Sequence, residues 1–180
     1  PLPAGKQVVG SKLIYTVRLN ADGTLHRLKV KLVAKVFAQT YGVDYFDTFS
    51  LIAKMTFVRL SISLVAHHHC SLLQFDVKNV FLHGFLKEDV YLQQSPGLCA
   101  SGADSHACRL RRSLYGLKES PCAWFGRFCT VIATFGQSLK DHTAFYRTTS
   151  SGCILLVVYV DDIIITGSDS NGIVHLKGHL

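Results

Sequence analysis

Two adjacent carboxylates, Asp161 and Asp162, lie between the apolar run Cys153 to Val158 and the run Ile163-Ile164-Ile165, which puts both at the tip of a hairpin of buried strands. An ionised carboxylate beside apolar strands loses hydration and needs a compensating charge. A hard divalent cation such as Mg²⁺ supplies one through oxygen ligands. Turns also favour Asp for reasons of their own, so a bare Asp-Asp taken alone reads as a solvated tip and a further feature must decide. A third carboxylate, Asp76, ends the short apolar run Leu72 to Phe75, and three such groups could converge on one cation site.

Elements with the right periods surround these residues. Val8 to Leu19 and Leu25 to Val36 are apolar and basic strand-like runs joined by Asn20-Ala21-Asp22-Gly23-Thr24, and Asp-Gly is a strong hairpin signal. Phe57, Leu60, Ser61, Leu64 and Val65 have the spacing of a helix buried on one face, with Thr56 as its N-cap. A helical turn is expected at Asn79 to His83, with short strands near Val90 to Leu92 and Cys108 to Leu110. Ser120 and Pro121 read as N-cap and first turn of a second helix, whose apolar face Trp124, Phe128, Val131, Ile132 and Phe135 runs to a stop at Gly136. A strand from Phe145-Tyr146, a turn at Thr148 to Gly152, the Asp-Asp hairpin and a helix from Ile173 complete the chain. Interleaved strands and helices joined by hairpins argue an α+β layer, two helices on an antiparallel sheet.

The chain has 180 residues, enough for one core with a small appended lobe. It opens with Pro1 and its only methionine is Met55, so it reads as an interior piece of a longer polyprotein. The formal charge is +7 and the pI near 9.2, which favours a polyanionic partner. Lys12, Arg18, Arg27, Lys29, Lys31 and Lys35 form one basic group, and Arg109, Arg111, Arg112 and Lys118 another; two solvated faces would look the same. A hydrophobic content of 48% with mean hydropathy +0.25 is high for a self-contained domain, and leads us to expect apolar surface covered by further chain. The most apolar stretch, Cys153 to Thr166, is too short to span a membrane and carries Asp161 and Asp162, so no membrane partner is expected. The six cysteines show neither Cys-x-x-Cys nor zinc-site spacing and read as free thiols, and His67-His68-His69-Cys70 reads as a helix end.

Between the carboxylate blocks lies Ser113-Leu114-Tyr115-Gly116-Leu117-Lys118-Glu119-Ser120-Pro121. With Gln74 to Gly84, Leu32-Val33-Ala34-Lys35, Tyr41-Gly42-Val43-Asp44-Tyr45 and Tyr159-Val160-Asp161-Asp162, the ordered set resembles the reverse transcriptase of copia-type LTR retrotransposons over nearly the whole chain. The resemblance implies a polymerase palm, a ferredoxin-like antiparallel sheet with two packed helices over residues 56–180. A partial fingers hairpin would occupy 1–55, with the thumb absent. It implies an RNA-directed DNA polymerase that adds deoxynucleotides to a primer 3′-hydroxyl with two Mg²⁺ ions, or Mn²⁺. By motif, Asp76 and Asp161 would bridge the metals and Asp162 support them, with the Val77 carbonyl facing the triphosphate-bound ion. Phe81 would exclude a 2′-hydroxyl. Tyr115, Gly116, Lys29 and Lys31 would contact the incoming nucleotide, and Tyr159, Val160, Lys118, Ser120 and Pro121 the template and primer. Implied partners are an RNA template, a DNA or tRNA primer, deoxynucleoside triphosphates and the rest of a Pol polyprotein, integrase upstream and RNase H downstream. The implied setting is a cytoplasmic virus-like particle with later nuclear passage.

Several positions depart from that pattern. Leu51 and Ser71 stand for proline, Cys122 for arginine, Val30 and Val80 for alanine, Cys70 and Leu13 for tryptophan, Val36 for glycine, Glu119 for glutamine, Lys31 for arginine, and Phe85 for an acidic or polar residue. A decaying copy is the reading these suggest, and a catalytically inactive relic that at most binds nucleic acid is the alternative function. A nucleotide cyclase also sets carboxylates on a hairpin, but its Gly-Gly-Asp-type signature is absent.

Overall fold

The computed structural model describes residues 2–3, 6–35, 37, 39–42, 45, 48, 50–94 and 107–178. Val36, Val43 and Asp44 from the motifs above lie outside them. In chain order the elements are β1 (Val8–Val9), β2 (Ser11–Leu19), β3 (Leu25–Ala34), α1 (Met55–His68), β4 (Ser71–Asp76), a 3₁₀ turn (Val80–His83), β5 (Tyr91–Gln93), β6 (Ala107–Arg109), α2 (Ser120–Val131), β7 (Gly136–Gln137), β8 (Ala144–Thr149), β9 (Gly152–Tyr159), β10 (Asp162–Gly167) and α3 (Ser170–Lys177). The class is α+β, as the interleaving indicated. No helix among the described residues is long and apolar enough to cross a membrane.

Two compact units divide the chain, each drawn from two segments: Pro1–Thr48 with Phe81–Trp124, and Phe49–Val80 with Phe125–Leu180. Residues 81–124 therefore group with the N-terminal segment, whereas the sequence reading drew one boundary at 55/56.

The first unit holds the ribbon of β2 and β3 and a small sheet in which β5 pairs parallel with β1 and antiparallel with β6. The ribbon turns at Asn20 to Thr24, where the Asp22 carboxylate accepts from Thr24 N at 2.9 Å and from its hydroxyl at 2.6 Å. Its core is Val9, Ala34, Val90, Leu92 and Leu117, with Leu32, Leu86, Leu110 and Leu114 packed against it.

The second unit is a five-stranded antiparallel sheet in the order β4-β10-β9-β8-β7. Strand alternation sorts its residues. Leu73, Phe75, Ile163, Ile165, Leu156, Val158 and Phe145 share one face by register. Phe125 and Phe128 of α2 meet Phe145 there at 6.0 and 5.8 Å between ring centroids, and Lys177 of α3 lies over Phe75 at 5.3 Å. Leu72, Gln74, Asp76, Leu155, Ile164, Thr166 and Asp162 share the other face, where Leu64 and His68 of α1 border a cavity with Leu155 and Thr166. Two helices thus cover one face, and a third approaches the opposite one.

Three local expectations are corrected. The N-cap of α1 is Lys54, without a side-chain cap bond, so Thr56 lies inside the helix. Only Ser61 of α1 is buried, its hydroxyl donating back to Phe57 O at 2.8 Å, while Leu60 and Leu64 stay 49% and 38% exposed. Apolar residues fall on more than one side of that helix, Ile62 among them, so a single buried stripe does not form. In α2, Ser120 begins the helix but donates its hydroxyl to Leu114 O at 2.7 Å, and the helix ends at Val131 rather than at Phe135.

Candidate active site

The carboxylate blocks meet at one end of the five-stranded sheet. Continuous apolar runs rich in β-branched residues make β9 and β10 buried strands, and their register pairs Asp162 with Tyr159, leaving Val160 and Asp161 as a two-residue turn. Val160 takes φ +55°, a conformation that strains a β-branched residue by about 1–3 kcal/mol. Its N–H is held by Leu51 O at 2.8 Å. On the outer side β10 pairs with β4, and Asp162 stands directly opposite Asp76. Directly opposed residues share a face with Cβ atoms about 5 Å apart. Val77 N then donates to Asp161 O at 2.8 Å, which ties the turn to the end of β4. Asp76, Val77, Asp161 and Asp162 are therefore neighbours in the backbone despite some 85 intervening residues.

The charges there are not internally compensated. Asp76 and Asp161 are exposed and Asp162 half-buried. Among the described residues no ion pair involves any of the three, and Asp162 accepts only from the neutral amide of Gln74, Nε2 to Oδ1 at 3.0 Å. Carboxylate oxygens without a cationic partner form a donor set that suits a hard divalent ion. Their side chains are not drawn into a closed cage, and no three His, Cys, Asp or Glu side chains among the described residues cluster as a formed metal site. Sequence reading missed Gln74 and Leu51. Gln74 could have been found, since it lies two positions before Asp76 and so on the same strand face.

The nucleotide and template candidates Lys29, Lys31, Phe81, Tyr115, Gly116, Lys118, Ser120 and Pro121 belong to the first unit. Lys31 Nζ lies 3.3 Å from the Tyr115 ring centroid, a cation–π contact. Phe81 meets Tyr115 edge to face at 5.1 Å, and its carbonyl accepts from the Ser113 hydroxyl. Lys31, Tyr115 and Phe81 thus form one cluster. Lys29 shares the ribbon face of Lys31, opposite Thr16. Tyr115 O accepts from Ala34 N at 2.8 Å, and Gly116 follows at φ +93° against the Ala34 carbonyl. Lys118 has partners of its own: its N–H donates to Gln39 Oε1 at 2.9 Å and its Nζ lies over Tyr45. Glu119 is buried and accepts from Gln39 Nε2 at 2.9 Å, a role that the family's usual glutamine would also fill. Pro121 lies in the first turn of α2, and Tyr159 is 42% exposed at the end of β9.

An α+β protein whose antiparallel sheet gathers three aspartates at one end is the class that these features define. The family model described as reverse transcriptase (RNA-dependent DNA polymerase) matches residues 1–180, and the chain belongs to this family. It is 39% identical over 172 residues to the retrovirus-related Pol polyprotein from transposon RE2 of Arabidopsis thaliana, covering 94% of this chain and 12% of that polyprotein. To the corresponding polyprotein from transposon TNT 1-94 of Nicotiana tabacum it is 37% identical over 182 residues, covering 99% of this chain and 14% of that one. The copia-type resemblance read from the motifs stands with these relatives, of whose length the chain spans between 12% and 14%. No solved structure matches it.

Proposed function

We propose that the chain is the polymerase segment of a copia-type Pol polyprotein, with the five-stranded unit serving as palm and the ribbon as part of the fingers. In this reading it adds deoxynucleotides to a primer 3′-hydroxyl on an RNA template. The observation that carries it is the register that sets Asp76 opposite Asp162, with Asp161 tied to Val77. Asp76, Asp161 and Asp162 would hold two Mg²⁺ ions, or Mn²⁺, with the Val77 carbonyl as a further oxygen. Bound there, the metals supply activation of the 3′-hydroxyl and neutralisation of triphosphate charge. The chain's own residues do the rest. Gln74 orients the Asp162 carboxylate, Lys29 and Lys31 attract the triphosphate, and the Phe81 ring, braced by Tyr115, excludes a 2′-hydroxyl. Tyr159, Val160, Lys118 and Pro121 bear on template and primer, whereas Ser120, buried with its hydroxyl on Leu114 O, supports the turn that leads into α2. Integrase and RNase H segments of the polyprotein are the proposed flanking partners, and a cytoplasmic particle with later nuclear passage the proposed setting.

The test is Mg²⁺-dependent extension of a DNA primer on an RNA template. Extension is expected from the wild-type chain, with a loss of more than about 100-fold in Asp161→Asn and Asp76→Asn. Equal extension by a purified, folded variant would remove the mechanism. A second reading, an inactive relic that binds nucleic acid, is favoured by the departures from the family pattern, Cys122 for arginine and Val80 for alanine among them. It predicts salt-weakened binding indifferent to Asp161→Asn and to Mg²⁺, with no extension.

A further inference from the structure

A cavity of about 160 Å³ opens within the five-stranded unit, walled by Leu64, Cys70, Cys153, Leu155, Thr166 and Gly167, with the exposed His68 beside them. The wall is carbon and sulfur from α1, the segment after it, β9 and β10. The polar groups of Thr166, Cys70 and Ser168 are engaged by the fold itself. Thr166 Oγ1 donates to Ser71 O at 2.9 Å, and Cys70 Sγ to His68 O at 3.8 Å. Ser168, also at the rim, accepts from Cys153 N at 3.1 Å and donates to Cys153 Sγ at 3.8 Å. Groups already satisfied in this way give a polar ligand little to gain and a water molecule few anchors. Gly167 sits at φ +147° where any Cβ would strike the Cys153 carbonyl, so no side chain can fill that part of the wall.

Volume and lining then select the ligand. An apolar cavity of roughly 150 Å³ takes up benzene, and this one is reached from solvent past the exposed Leu64 and Cys153. Polarisable sulfur makes favourable contacts with ring edges, and here two sulfur atoms line one cavity. We propose that this cavity binds a small planar aromatic molecule of benzene to indole size, held by dispersion and sulfur–ring contacts. Thr166 shares a sheet face with Asp162 but lies four residues along β10, about 13 Å away. The site is thus separate from the carboxylates and does not depend on the polymerase reading.

Indole is the probe, and the alkylation rate of each cysteine by iodoacetamide, resolved by mass spectrometry on the full chain, is the readout. Millimolar indole is expected to slow Cys70 and Cys153 several-fold and to raise the thermal midpoint, leaving the exposed Cys108 of β6 unchanged as internal control. Cys70→Phe fills the space, and should raise the midpoint by itself and abolish both effects of indole at Cys153. Unchanged rates at both cysteines in the wild-type chain overturn the proposal, as does protection of Cys153 that survives Cys70→Phe. The wild-type measurement decides the matter if that variant fails to fold.

Discussion

Gly116 answers to two demands at once, a positive φ and the close passage of the Ala34 carbonyl. Its motif suggests nucleotide contact, yet the backbone alone requires the residue. Gly116→Ala should destabilise the chain by about 2 kcal/mol or more, read as a lower denaturant midpoint with unchanged slope. A variant as stable as wild type would show that the backbone can yield there. Val160 is the matching case in the other unit, a strained residue fixed by Leu51 O beside the carboxylates. At this scale the residue types were legible and their partners were not. Asp76, Asp161 and Asp162 stand out because adjacent charge and apolar strands conflict on paper. Gln74 binds Asp162 across 88 residues, and Leu51 meets Val160 across more than a hundred, separations that no local spacing encodes.

Elements show how alternation divides labour. In the β2–β3 ribbon the register puts Lys12, Arg18, Arg27, Lys29 and Lys31 on one face and Leu13, Tyr15, Val17, Leu28, Val30 and Leu32 on the other. A cationic face of that kind binds phosphates by releasing counterions, and each lysine engaged adds about 0.7–0.9 to the slope of log affinity against log salt. Lys29→Ala should therefore weaken binding of a single-stranded oligonucleotide and lower that slope by about one, whatever its sequence. An unchanged slope would place Lys29 off the path. The ribbon and the β9–β10 hairpin were legible because Asp-Gly and the Asp-Asp tip mark turns between period-two runs. Helix ends were less so. Ser120 has the composition of a cap but spends its hydroxyl on Leu114 O, a choice made by the loop that folds back onto it.

Two buried carboxylates staple the five-stranded unit as a whole. Burial alone would raise the Asp141 carboxyl, but the Thr143 hydroxyl, the N–H groups of Lys54 and Thr143 and the charge of His142 outweigh it and hold it below its ordinary 3.8. Asp169 is lowered by the Thr149 hydroxyl and by the Gly172 N–H at the start of α3, against burial and with help from Arg147. A carboxyl depressed in the folded state contributes stability that is complete above the unfolded value and is lost as pH falls through the folded one. Thermal stability should accordingly drop as pH falls below about 4. The double variant Asp141→Asn, Asp169→Asn should be less stable near pH 7 and decline more gently in acid. Parallel acid limbs in the two proteins would exclude the staples as the cause.

By itself the sequence determined the α+β class, the two hairpins, the family and the three acidic residues, because alternation, turn chemistry and ordered motifs act over short stretches of chain. Tertiary structure decided that Asp76 faces Asp162, that residues 81–124 group with the N-terminal segment, and that a sulfur-lined cavity opens behind the sheet. Strand order and packing set those relations. They depend on which distant surfaces exclude water together, a property of the folded whole that neighbouring residues do not carry.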